Sequence, residues 1–255
     1  VLSASTAAGE PRTLRPEERA FKASFRSDVD GSEQFYVIQF PNEMDPDRKY
    51  PVVIDLKYWL ARVPELRKDR WDKPYIMVHA HARGLLGMLA MAEVDVLEIV
   101  GHLTEKYPID PRRVILSGYS AGASTCMNIA SRHPDVFAGA QPWVAFGNNA
   151  ILDNLQHMPV FCHHGQKDWT SSIGNVRVYF QQLQAMGYPA LLKEYPDIGH
   201  GVRRAPDKIV PTNDWIVSCR LPERPAGVTY RCETPADGRA FWLNVRRFER
   251  VHRSA

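Results

Sequence analysis

From residue 109 onward the chain alternates short apolar runs with stretches of helical period, and this alternation limits the fold more than any other feature. The runs are "RVILS" (113–117), "FAGAQPWV" (137–144), "VFCHHG" (160–165) and "ALLKEY" (190–195). Between them lie "AGASTCMNIASRH" (121–133) and "NVRVYFQQLQAMG" (175–187), which read as helices. Parallel strands need a crossover long enough to bring the chain back, and a helix supplies it. The pattern therefore predicts an α/β fold: a mostly parallel central sheet flanked by helices. Upstream, "PVVIDL" (51–56) and "YIMVHAH" (75–81) read as two more buried strands by their β-branched content. "AMAEVDVLEIVGHLTEKY" (90–107) reads as an amphipathic helix with Val94, Leu97, Ile99, Val100 and Leu103 at its apolar spacing. "AFKASFRS" and "EQFYVIQF", joined by the turn "DVDGS", read as a hairpin adding antiparallel strands at one edge.

These elements divide the chain into a polar N-terminal arm (1–18), a main α/β domain (19–221) and a C-terminal β-like extension (222–255) without helical period. With 255 residues, 44% of them hydrophobic, a substantial core is available. The 32 basic and 29 acidic residues give a net charge of +3, which argues against a dedicated nucleic-acid binder. The Arg-rich "NVRRFERVHRSA" reads as a solvated terminus. No window of about 18 apolar residues occurs, so no membrane span is expected. "VLSASTAAGEPR" has the small residues of a cleaved export signal's end, which favours a secreted or periplasmic protein over a cytoplasmic one. Of four cysteines, Cys126 and Cys162 fall in core elements. Cys219 and Cys232 flank a Pro-rich loop and could bridge in an exported protein. None has CxxC spacing, so a zinc site is not expected.

One junction carries chemistry. "RVILS" runs directly into Gly118-Tyr119-Ser120-Ala121-Gly122, and a helix leaves on the far side. A sharp strand-to-helix turn lifts a serine hydroxyl above the sheet edge, and the helix start aims free amides at developing negative charge. Ser120 is thus a candidate nucleophile. A serine needs a base, and the base an orienting acid. Asp168 follows the strand "VFCHHG", and His200 follows the strand "ALLKEY"; both sit at the sheet edge where Ser120 emerges. Rivals have simpler readings. Asp197, three residues before His200, suits a turn, and Asp153 a helix start. His133, before Pro134, ends a helix. His79 and His81 alternate with apolar residues and are expected on opposite faces of a strand, not as a metal pair.

On the stretches "GYSAG" (118–122), "HGQKD" (164–168), "GHG" (199–201) and "HPDVFAGAQP" (133–142), the chain resembles the α/β-hydrolases, in their esterase and prolyl-oligopeptidase-like branch. The likeness covers about residues 30–220. It implies Ser120 as nucleophile, His200 as general base then acid, and Asp168 as the group fixing the imidazole tautomer. It gives His164 a structural part at its strand end. It implies no metal and no organic cofactor. Related enzymes usually carry His-Gly after the third strand; here Lys57-Tyr58 stands instead. The oxyanion donors are then expected to be the amides of Ala121 and Tyr58, the latter's phenol being the alternative. Tyr119, Trp143 and Trp169 fall beside the catalytic loops and would suit a bulky or aromatic acyl group, as in feruloyl-esterase or polyesterase-like relatives. Only "AFGNNAILDNLQHMP" separates two of the strands, too few residues for a large cap. The expected activity is a serine carboxylesterase on a small-molecule or polymer ester. A prolyl-oligopeptidase-like peptidase is the nearest alternative, and a binding module with a lost oxyanion hole the other.

Overall fold

Tyr50–Leu56 is buried at every position, as a strand must be when it has partners on both sides and cover on both faces. It lies inside an eight-stranded sheet in the computed structural model, which describes residues 12–13, 15–56, 72–81, 83, 91–145, 149–205, 209–234 and 237–247. In chain order the strands are β1 (Ala20–Arg26), β2 (Glu33–Gln39), β3 (Tyr50–Leu56), β4 (Ile76–Ala80), β5 (Ile109–Tyr119), β6 (Gly139–Trp143), β7 (Val160–Gly165) and β8 (Ala190–Tyr195). They stand side by side as β1-β2-β4-β3-β5-β6-β7-β8. β2 is antiparallel to both its neighbours, and every other pair is parallel. The expected hairpin thus forms one edge, where β1 alternates half-buried and exposed residues after the buried Ala20.

Besides a single helical turn at Pro16–Arg19, the described residues form four α-helices, α1 (Met91–Lys106), α2 (Ala121–Arg132), α3 (Ile173–Ala185) and α4 (Asn213–Ser218). The connections β4 to β5, β5 to β6 and β7 to β8 all step the same way across the sheet. Right-handed crossovers stepping one way put their helices on one face. Residues of α1, α2 and α3 share one core with Val52, Ile54, Leu56, Val114 and Leu116. The other face, with Val53, Ile115 and Ala138, is covered by Ile216 of α4 together with Cys219 and Leu221. α4 escaped the sequence reading because six residues with one buried apolar side chain show no period.

The apolar face of α1 differs from the expected one. Ala92, Val96, Ile99 and Leu103 are buried, whereas Val94 is 42% exposed. Asp95 sits among the buried residues because Arg83 meets its carboxylate at 2.9 and 3.1 Å. An acidic residue hides the true stripe from a count of apolar ones.

Beyond α4 the chain packs on the end of the sheet opposite Ser120. Leu221 exchanges hydrogen bonds with Arg112 at the start of β5, and Asn154 brackets the backbone of Arg231. A two-residue pair, Arg239–Ala240 with Leu243–Asn244, is its extended element. Cys219 and Cys232 are free. The bridge considered for them is absent because Cys219 turns into the core, with its Sγ against Gly139, while Cys232 follows the anchored Arg231. Among the described residues, no helix is long and apolar enough to cross a membrane.

Candidate active site

β5 ends at Tyr119 and α2 begins at Ala121, leaving Ser120 as the single residue between strand and helix. Its φ of 56° and ψ of −119° are strained for a residue with a Cβ; such conformations cost about 1–3 kcal/mol and cluster where function demands them. Neighbouring contacts enforce the turn. The Ser120 amide donates to Trp143 O at 2.9 Å, and Ser120 O accepts from Ala123 and Ser124. A Cβ on Gly118 would lie 2.1 Å from Gly122 O, so the turn closes only with glycine there. Ala121 opens α2, where the first amides have no carbonyl one turn back to bind.

His200 lies in the loop after β8. Its Nε2 is 3.0 Å from Ser120 Oγ, and its Nδ1 is 2.8 Å from Asp168 Oδ2. Asp168 is buried in the turn after β7, where its other oxygen accepts from the amides of Thr170 and Ser171 at 2.9 and 3.0 Å. One oxygen is thereby committed to the backbone and the other to His200. The two loops are joined directly: Lys167 N donates to Ile198 O at 3.0 Å and Gln166 N to Tyr195 O at 2.9 Å. His164 donates from Nε2 to Ser171 O at 2.9 Å, bracing the loop that carries Asp168. Burial lowers its pKa, keeping it neutral there.

The aromatic candidates separate. The Tyr119 ring meets His200 edge-on at 5.6 Å, and its hydroxyl donates to His200 O. Trp143 is only 8% exposed, stacked on His163 at 4.0 Å and with the guanidinium of Arg203 over its ring at 4.8 Å. Trp169, next to Asp168, is 92% exposed. Tyr58 and Lys57 lie outside the described residues, as does most of the charged stretch after β3. Leu56, the last residue of β3, stands in register with Gly118.

Of the rival residues, Asp197 pairs with Lys167 Nζ in solvent at 3.0 Å, and Asp153 lies in a short helical turn, Leu152–Leu155. His133 bonds Glu93 at 2.7 Å. His163 is sealed between Trp143 and Phe161; burial, then Arg203, push its pKa down to about 3. His79 and His81 share a face, correcting the expectation of opposite ones, since residues two apart on a strand point the same way. They still do not converge: His79 approaches Asp55 and His81 stacks on Phe35.

Sequence reasoning missed a pair beneath the site. Asp55, buried on β3, receives both arms of the Arg203 guanidinium at 3.0 and 2.9 Å. Burial alone would raise the Asp55 pKa, but the adjacent Arg203 outweighs it and holds the carboxyl well below the usual range. The signal was present in "VVIDL": a carboxylate inside a buried apolar strand requires a cation.

Comparison with known proteins agrees with this architecture. The dienelactone hydrolase family matches residues 79–214, just over half of the chain. A curated relative, poly(3-hydroxyalkanoate) depolymerase C from Paucimonas lemoignei, is 41% identical over 49 residues, covering 19% of this chain and 12% of its own. Among solved structures, a thermostable esterase superposes with a TM-score of 0.57 at 21% identity, over 78% of this chain and 59% of that one. A ferulic acid esterase from Anaeromyces mucronatus gives 0.57 at 18% identity, over 78% of this chain and 87% of that one. The chain thus spans about an eighth of the curated relative and under two thirds of the thermostable esterase. With a sheet of this order, β2 alone reversed, and a family match across its central half, this chain has the α/β-hydrolase fold and belongs to the dienelactone hydrolase family.

Proposed function

We propose that this hydrolase-family protein is a serine carboxylesterase, with Ser120 as nucleophile, His200 as base and acid, and Asp168 as the group that orients the imidazole. The observation that carries the reading is the unbroken chain from Ser120 Oγ through both nitrogens of His200 to the buried Asp168, in links of 3.0 and 2.8 Å. His200 Nε2 takes the hydroxyl proton as Ser120 Oγ attacks the ester carbonyl carbon. The carbonyl oxygen becomes an oxyanion held by the Ala121 amide, with the Tyr58 amide proposed as second donor because β3 ends in register with Gly118. One such donor is worth about 10²–10³ in rate. Collapse returns the proton from His200 to the leaving alcohol and leaves an acyl-serine. Water, deprotonated by the same nitrogen, then releases the acid and restores Ser120.

The substrate we favour is a bulky or polymeric ester. Trp169 stands almost fully in solvent one residue from the catalytic acid, where an aromatic face can lie against a chain too large to enter a cleft. An extracellular or periplasmic location accords with such a substrate. The test is turnover of a short p-nitrophenyl ester. Ser120→Ala should lower kcat by at least about 10⁴-fold while the protein stays folded; full retention of activity would reject the assignment. Faster turnover of esters than of matched peptides separates this reading from a peptidase, and Trp169→Ala should slow a polyester film more than the short ester.

A further inference from the structure

The Ser120–His200 contact depends on a loop of few residues, and only three positions past His200 the chain sends Arg203 down to the sheet. Its guanidinium makes three hydrogen bonds: Nη1 to Asp55 Oδ2 at 3.0 Å, Nη2 to Asp55 Oδ1 at 2.9 Å and Nη2 to Ser117 Oγ at 3.1 Å. The guanidinium also lies over the rings of Trp143 at 4.8 Å and Tyr119 at 5.3 Å. Asp55 and Ser117 are themselves register partners on β3 and β5, and Ser117 precedes the nucleophile by three residues as Arg203 follows the histidine by three.

The two segments therefore form a closed ring, joined at one end by Ser120 and His200 and at the other by Ser117 and Arg203, with Tyr119 donating to His200 O between them. We propose that the Arg203–Asp55 pair is a positioning device, setting the distance from His200 to Ser120 by fixing the histidine loop to the strand that carries the nucleophile. Burying an ion pair seldom stabilises more than apolar residues of the same size would, so its presence here asks for a role other than stability. Arginine suits that role because its planar fork fixes orientation as well as distance, which a lysine ammonium cannot. Arg203 does not touch the reacting atoms; it acts through His200.

The inference rests on the reading of Ser120 as nucleophile, and the test keeps the two apart. Wild type, Arg203→Lys and the double variant Asp55→Asn/Arg203→Met are compared in three measurements: kinetics on p-nitrophenyl acetate, the rate of Ser120 labelling by a fluorophosphonate, and thermal unfolding. Arg203→Lys should lower kcat and the labelling rate by about 10- to 100-fold, the scale of a misplaced catalytic group, with KM unchanged. The double variant removes both charges, so its Tm should recover toward wild type while kcat stays low. A folded Arg203→Lys with wild-type kcat and labelling would overturn the positioning role, as would activity that recovers in step with Tm. A wild-type protein that takes no label on Ser120 would overturn the nucleophile assignment and this inference with it.

Discussion

At Ser120, the strained backbone is held by what surrounds it: an amide bond to Trp143 O and a glycine at 118 pressed against Gly122. Replacing Gly118 by alanine puts a methyl 2.1 Å from that carbonyl, and the elbow must open to admit it. The expected outcome is loss of both soluble yield and fluorophosphonate labelling. A well-folded, fully active Gly118→Ala protein would mean that the turn is looser than described. Asp168 makes a gentler case. With one oxygen fixed by two amides and the other by His200, Asp168→Asn can keep the fold but turns a donor toward Nδ1. The wrong imidazole tautomer then faces Ser120, and kcat should fall by about 10⁴-fold in steady-state kinetics. Unchanged kcat would assign the acid elsewhere.

Elements differ in how plainly the sequence announced them. The strands were legible because central parallel strands are apolar on both faces, and "VVIDL" and "RVILS" carry that mark. The meeting of Ser120, Asp168 and His200 was legible because each follows a strand whose end lies at one sheet edge. What could not be read were contacts closed over long separations. Asp55 meets Arg203 across 148 positions, and the buried Trp143 packs against Arg203 and His163 from distant parts of the chain. α1 shows the same thing, since buried Asp95 makes sense only with Arg83, which also reaches Asp30 and Ser27 in the β1–β2 turn. Arg83→Met should strand the Asp95 carboxylate and destabilise the protein by about 3–5 kcal/mol in urea unfolding. Labelling of Ser120 in the folded fraction should persist. A change below about 0.5 kcal/mol, the range of an ordinary surface substitution, would show the pair to be incidental.

For the molecule as a whole, the buried charges and rings under the site set an acid limit. His163 is neutral in the folded protein, with a pKa of about 3 against an ordinary 6.5. An unfolded chain binds that proton near pH 6.5 and the folded one does not, so stability is full above 6.5 and falls as pH drops toward 3. Asp55, held down by Arg203, adds a loss that begins below about 3.8, where the unfolded chain's aspartate takes up a proton that the folded one does not. Unfolding free energy measured from pH 8 to 3 should show this slope, and His163→Phe, which keeps the ring stack, should flatten it between 6.5 and 3. An identical slope in the variant would place the acid sensitivity elsewhere. All of this supports one edge of one sheet, where β5, β7 and β8 deliver Ser120, Asp168 and His200. The most direct measurement is mass spectrometry of the protein after exposure to a fluorophosphonate. The account predicts one covalent adduct on the peptide containing Ser120 and none in Ser120→Ala; an unmodified wild type, or an adduct on another residue, would contradict it.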